Sequence, residues 1–183
     1  MKASVSRITA VLLVAVILAL TLASCGTTVY KKQGITFELP SSFEQRAIEN
    51  ALYAYGDDES YIVFNKHTKS ALATQGITTL DVAEFVEHAL DKNGMTDAVE
   101  VEYGVDRAEF SYVAADSDAE NVLYYCYSLV IKGSDCIWMI QMFCYATLSS
   151  DYIPEFEKWA ASIVLESICF RFFDFFAYNL TKL

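Results

Sequence analysis

Two runs, Val122 to Ile131 and Cys136 to Thr147, constrain the fold more than any other part of the sequence. Both are dense in β-branched and aromatic residues, and Lys132-Gly133-Ser134-Asp135 separates them. Such side chains suit the pleated surface of a strand, and a short Gly-Ser-Asp stretch supplies a turn, so the runs predict a long hairpin. Successive side chains of a strand point to opposite faces. With Ile131 opposite Cys136, Cys126 falls opposite Gln141 and Cys144 opposite Leu123. One hairpin face then carries Leu123, Tyr125, Tyr127, Leu129, Ile131, Cys136, Trp138, Ile140, Met142 and Cys144, an apolar set that must be covered. The other is mixed: Tyr124, Cys126, Ser128, Met139, Gln141, Phe143 and Tyr145. It is either a second packed face under a helix or a surface for a ligand or partner, and Tyr124, Gln141, Phe143 and Tyr145 are the candidate binding residues.

The remaining elements fit around this hairpin. Ile35, Phe37 and Leu39 alternate with polar residues up to Pro40, as in a half-buried strand. Leu52 to Tyr55 and Tyr61 to Phe64 read as strands flanking the Gly56-Asp57-Asp58-Glu59 turn. Thr78 to Asp81 has capping-box spacing, and Leu80, Ala83, Phe85, Val86, Ala89 and Leu90 form a helical stripe ending at Asn93-Gly94. Val99 to Tyr103 and Arg107 to Ala114 read as strands around Gly104-Val105-Asp106. A last helix is expected from about Asp151 to Val164, with Pro154 in its first turn and Ile153, Phe156, Trp159, Ala160 and Ile163 on one face. The order predicts an α+β domain: a mostly antiparallel, twisted sheet of about six or seven strands covered by helices.

The Ile-Thr-Phe-Glu-Leu-Pro strand, the Leu80 to Leu90 helix, the long strand pair and the ending Trp159-Ala160-Ala161-Ser162-Ile163-Val164 together resemble the Mog1/PsbP-like domain found in small bacterial lipoproteins. The resemblance spans Gly34 to Glu166. It implies a binding or scaffold module, a role in protein binding and complex assembly more than in catalysis, and it carries over no site residues.

The N-terminal residues set the address. Lys2 and Arg7 precede an uncharged, near-continuously apolar stretch from Ile8 to Leu22, which reads as an export signal and is short for a membrane-spanning helix. Leu22-Ala23-Ser24-Cys25 follows at once and resembles the lipobox of bacterial lipoproteins, in which the cysteine thiol takes a diacylglycerol. The expected division is a signal peptide over 1–24, lipidated Cys25 with a polar tether over 25–33, a single domain over 34–166 and an aromatic tail over 167–183. Two acyl chains hold a protein firmly where one binds marginally. The expected location is therefore the outer side of a bacterial membrane, with the membrane itself as one partner through Cys25 and an envelope protein as a second.

Loss of Lys2 and Arg7 with the leader moves the formal charge from −11 to −13. Such a surface repels phosphate backbones, so nucleic acid is not an expected partner. Cys126, Cys136, Cys144 and Cys169 remain after Cys25. An even count in an exported chain invites disulfides, yet the alternation separates Cys126 from Cys136 and Cys144, so buried free thiols are expected in the hairpin.

No catalytic constellation is legible. His88 follows Glu84 by one helical turn, and this reads as a solvated helix face; His67 among Lys66, Thr68 and Lys69 reads as a loop tip. Asp116-Ser117-Asp118-Ala119-Glu120 matches the first half of a calcium loop, but Asn121 and Tyr127 stand where glycine and a bidentate glutamate belong. Neither a metal nor a cofactor is expected. The tail crowds Phe170, Phe172, Phe173, Phe175, Phe176 and Tyr178 into nine positions, too apolar for open water. The functional reading is a membrane-anchored binding or scaffold module, the alternative an envelope hydrolase or metal-dependent enzyme.

Overall fold

The structure is a computed structural model and describes residues 26–95, 99–115 and 122–166. The leader, Cys25, Cys169, the aromatic tail and the Asp116 to Glu120 stretch lie outside the described residues.

The described chain folds as α+β, with a seven-stranded sheet at its centre. In chain order the strands are β1 (Thr27–Lys32), β2 (Ile35–Pro40), β3 (Glu44–Gln45), β4 (Tyr53–Gly56), β5 (Ser60–Thr68), β6 (Val101–Gly104), β7 (Arg107–Ala115), β8 (Leu123–Lys132), β9 (Cys136–Tyr145) and β10 (Val164–Leu165). The helices are α1 (Lys69–Thr74), α2 (Val82–Lys92) and α3 (Ser149–Ser162). The large sheet runs β3-β4-β5-β9-β8-β7-β6 with antiparallel neighbours, and a second sheet runs β1-β2-β10. Among the described residues no helix is long and apolar enough to cross a membrane.

The hairpin forms with its register two residues from the expected one: Cys126 faces Phe143 and Cys144 faces Tyr125. Lys132 extends β8 and pairs with Ile137, and the turn closes through Gly133 N–H donating to the Cys136 carbonyl at 2.8 Å. A side chain at Gly133 would meet Cys136 Sγ at 2.9 Å and the Cys136 carbonyl at 3.3 Å, so a substitution there must displace the Cys136 side chain. A slip of two residues preserves side-chain facing. Cys126 therefore lies on one face and Cys136 with Cys144 on the other, and all three are free and buried.

The apolar hairpin face meets α3 and β2. Leu129, Trp138, Ile140 and Met142 pack with Phe37, Leu39, Phe64, Phe156 and Trp159 in the larger core cluster. Phe156 is fully buried and lies against Tyr125, Tyr152 and Trp159. Helix α3 starts at Ser149, earlier than predicted, which moves Pro154 from the first turn to the helix interior. Proline has no N–H to donate, and the position faces solvent, where the carbonyl it leaves unpaired can turn to water.

On the opposite face, α1 packs on β5, and α2 packs on β7 and β8. Their cluster joins Leu72, Phe85, Val86 and Leu90 to Ala108, Phe110, Val130 and Ile137. The α2 cap is Asp81, whose carboxylate accepts from Ala83 N at 2.8 Å and Glu84 N at 3.1 Å; the expected box starting at Thr78 does not form. Asp at the cap satisfies two of the unpaired first-turn donors by itself. His67, expected at a loop tip, lies within β5 opposite Ile137, its ring 5.0 Å from that of Phe85. Burial lowers its pKa. Residues 26–33, expected as a tether, include strand β1, which pairs with β2 from Thr27↔Pro40 to Lys32↔Ile35.

Candidate functional site

The mixed hairpin face divides into two halves. Towards the Lys132 turn, Val130, Ile137 and Met139 enter the cluster beneath α1 and α2. Towards the other end lie Tyr124, Phe143 and Tyr145, which belong to neither core cluster. Pairing of β5 with β9 brings a further ring there, Tyr61 opposite Phe143. Tyr61 stacks on Phe143 with centroids 4.7 Å apart, meets Tyr124 edge-on at 6.2 Å, and Tyr124 stacks on Tyr145 at 5.4 Å. Stacked and edge-on arrangements are the favoured geometries of aromatic pairs. The result is one continuous aromatic surface across β5, β9 and β8. Tyr61, Tyr124 and Phe143 are half-buried and Tyr145 is 38% exposed.

Gln141 sits beside this surface, on the same face. Its amide donates to the Tyr112 hydroxyl at 3.1 Å and approaches Cys126 Sγ at 3.8 Å, and Cys126 Sγ lies 3.6 Å from Ser128 Oγ. Burial is the main cause that raises the Tyr112 pKa, with Cys126 adding to it, and burial pushes the Cys126 thiol up to about 11. Both groups therefore stay protonated near neutrality, and Cys126 is a poor nucleophile. This polar strip spans β7, β8 and β9 on the face that carries the rings.

The structure thus unites three of the four predicted binding residues, Tyr124, Phe143 and Tyr145, and gives Gln141 a supporting position. Tyr61 and Tyr112 are the additions. Their strands alternate in the sequence, but the pairing of β5 with β9 and of β7 with β8 is what brings their faces to this one.

A second concave region lies on the other face. Glu100, Glu102, Glu109, Ser111, Tyr127 and Glu157 line a groove of about 390 Å³. Arg107 Nε donates to Glu109 Oε1 at 2.6 Å, and the Tyr127 hydroxyl donates to Glu109 Oε2, so Glu109 is already doubly partnered. Among the described residues no group of three His, Cys, Asp or Glu side chains is arranged to hold a metal ion. Glu84, the expected neighbour of His88, accepts a hydrogen bond from the Thr79 hydroxyl.

No protein-family model matches the chain, and no curated protein sequence matches it. Solved structures do. A point variant of the protein Mog1 superposes with a TM-score of 0.51 at 10% identity, over 79% of this chain and 98% of that one. The Ran-binding protein Mog1p of Saccharomyces cerevisiae gives 0.50 at 11% identity, over 79% and 97%. A solution structure of cyanobacterial PsbP from Synechocystis gives 0.42 at 11% identity, over 77% and 93%. The chain has a Mog1/PsbP-like fold.

Proposed function

We propose that this chain is an exported lipoprotein, held on the outer side of a bacterial membrane by a lipid on Cys25, that works by binding an envelope protein. The observation that carries the binding role is the aromatic surface of Tyr61, Tyr124, Phe143 and Tyr145, which spans three strands and joins neither core cluster. Large, rigid aromatic side chains supply contact area at a low cost in conformational entropy, and Tyr is enriched at interface centres. That the similar yeast structure is a Ran-binding protein supports the use of this fold for binding. The leader and the Leu22-Ala23-Ser24-Cys25 sequence support the address. The acidic balance of −13 after cleavage suits a cationic partner surface and disfavours nucleic acid.

The alternative, an envelope hydrolase or metal-dependent enzyme, requires an acid, a base or several ligands converging on one space. No such convergence supports it among the described residues.

Proximity cross-linking of the membrane-anchored protein, with mass spectrometry of Cys25, tests the proposal. Acylated Cys25 and a reproducible envelope protein, lost when Tyr124 and Tyr145 are both changed to Ala, is the expected result. Confirmed acylation without any partner turns the reading towards a small ligand or an enzyme.

A further inference from the structure

We infer that the domain stands end-on on the bilayer, with the end of the sheet that carries Leu123 and Tyr145 against the lipid headgroups. This rests on the proposed lipid at Cys25. Gly26, the next residue, is fixed to the domain: its carbonyl accepts from Ser41 N at 2.9 Å and from the Ser41 hydroxyl. Strand β1 begins at Thr27, opposite Pro40. Consecutive Cα atoms lie about 3.8 Å apart, so no slack separates the acylated residue from the folded body. The lipid must leave the molecule beside Gly26.

The strand registers say which surface that is. Gly26, Thr27 and Ser41 share a groove with Asp57, Glu59 and Ser60. Ser60 pairs with Cys144, Tyr124 with Tyr145, and Leu123 with Ala115. The first residues of β5 and β8 and the last of β7 and β9 therefore lie at the end where the chain enters. The turns around Gly34, Gly104 and Gly133 lie at the opposite end, with Val105 94% exposed.

The anchored end also has a composition suited to a bilayer surface. Val113 is 54% exposed, Leu123 50% and Tyr145 38%. Aliphatic side chains and amphipathic tyrosine rings are favoured where headgroups meet hydrocarbon. Asp57, Asp58 and Glu59 share this end, Asp151, Glu155 and Lys158 line the same groove as Gly26, and the 116–121 connection from β7 to β8 adds Asp116, Asp118 and Glu120. This acidic balance repels anionic lipid, so the surface fits zwitterionic headgroups. The sheet face around Phe143 then stands upright beside the bilayer, open to a neighbour in the same membrane.

Single tryptophans read the orientation, because native Trp138 and Trp159 are 2% and 3% exposed and give a constant background. Mature chain of confirmed Cys25 acylation, carrying Tyr145→Trp, Leu123→Trp or Val105→Trp, is placed in phosphatidylcholine vesicles doped with lipid spin-labelled near the headgroup. Quenching several-fold stronger at 145 and 123 than at 105, and weaker in phosphatidylglycerol vesicles, is the expected outcome. An acylated chain quenched equally at both ends, or at 105 alone, overturns the orientation and leaves the anchor standing. A chain whose Cys25 bears no lipid overturns both.

Discussion

The two faces of the seven-stranded sheet are built to different degrees of closure. One is covered over its central strands by α3 and the β1-β2-β10 sheet, with seventeen buried residues in a single cluster, and opens into the Glu109 groove towards β6. The other is sealed over one half, where α1 and α2 sit, and shows the rings of Tyr61, Tyr124, Phe143 and Tyr145 over the other. A sealed face specifies the fold. A half-sealed face built on the same strands sets aromatic side chains on rigid backbone, which is the arrangement a binding surface needs. The difference lies in the helices: α1 has six residues and α2 eleven, too few to cover strands of nine and ten.

The largest expected effect is on the sealed face. Phe156→Ala should cost about 3–5 kcal/mol, the usual range for emptying a buried aromatic site, measured by denaturant unfolding. A loss below about 1 kcal/mol would mean that α3 is not the lid on this face. On the half-sealed face, Asp81→Ala removes the α2 cap and should cost about 1 kcal/mol, seen as faster amide exchange in the first turn of α2. Tyr55→Phe sharpens the comparison in the other direction. The Tyr55 hydroxyl is buried on the α3 side without a partner among the described residues, so its removal should raise stability by roughly 1 kcal/mol.

The smallest effect is a pH dependence. Burial lowers the His67 pKa below its ordinary 6.5, so as pH falls through about 6.5 the unfolded chain takes up the proton first. Stability is full above that pH and declines below it. His67→Gln should flatten the decline between pH 6.5 and 5 in thermal melts; parallel curves would place the ring in open solvent.

Much of the fold was legible because it is written in alternation and helical stripes. Leu129, Trp138, Ile140 and Met142 announced the sealed face, and Phe156, Trp159 and Ala160 announced its helix. What escaped lies where tertiary pairing outranks local pattern. Thr27–Lys32 has the composition of a tether and becomes a strand because β2 offers it an edge. Helix α1 is six residues long, and Leu72 is its one buried side chain, so no periodicity could reveal it. The hairpin register depended on how many residues the Gly133 turn absorbs, and the two-residue error left the facing intact. Tyr124, Phe143 and Tyr145 followed from alternation alone, whereas Tyr61 needed the β5–β9 pairing.

The most direct test of the account sets the two faces against each other by photocross-linking. A photoreactive residue replaces Phe143 on the half-sealed face or Glu157 on the outer surface of α3, in the membrane-anchored protein. The account predicts one envelope protein captured from position 143, not from 157, and competed away by unlabelled protein but not by its Tyr124→Ala/Tyr145→Ala variant. Capture of that protein from position 157 alone would move the interaction surface to the acidic groove and contradict the account.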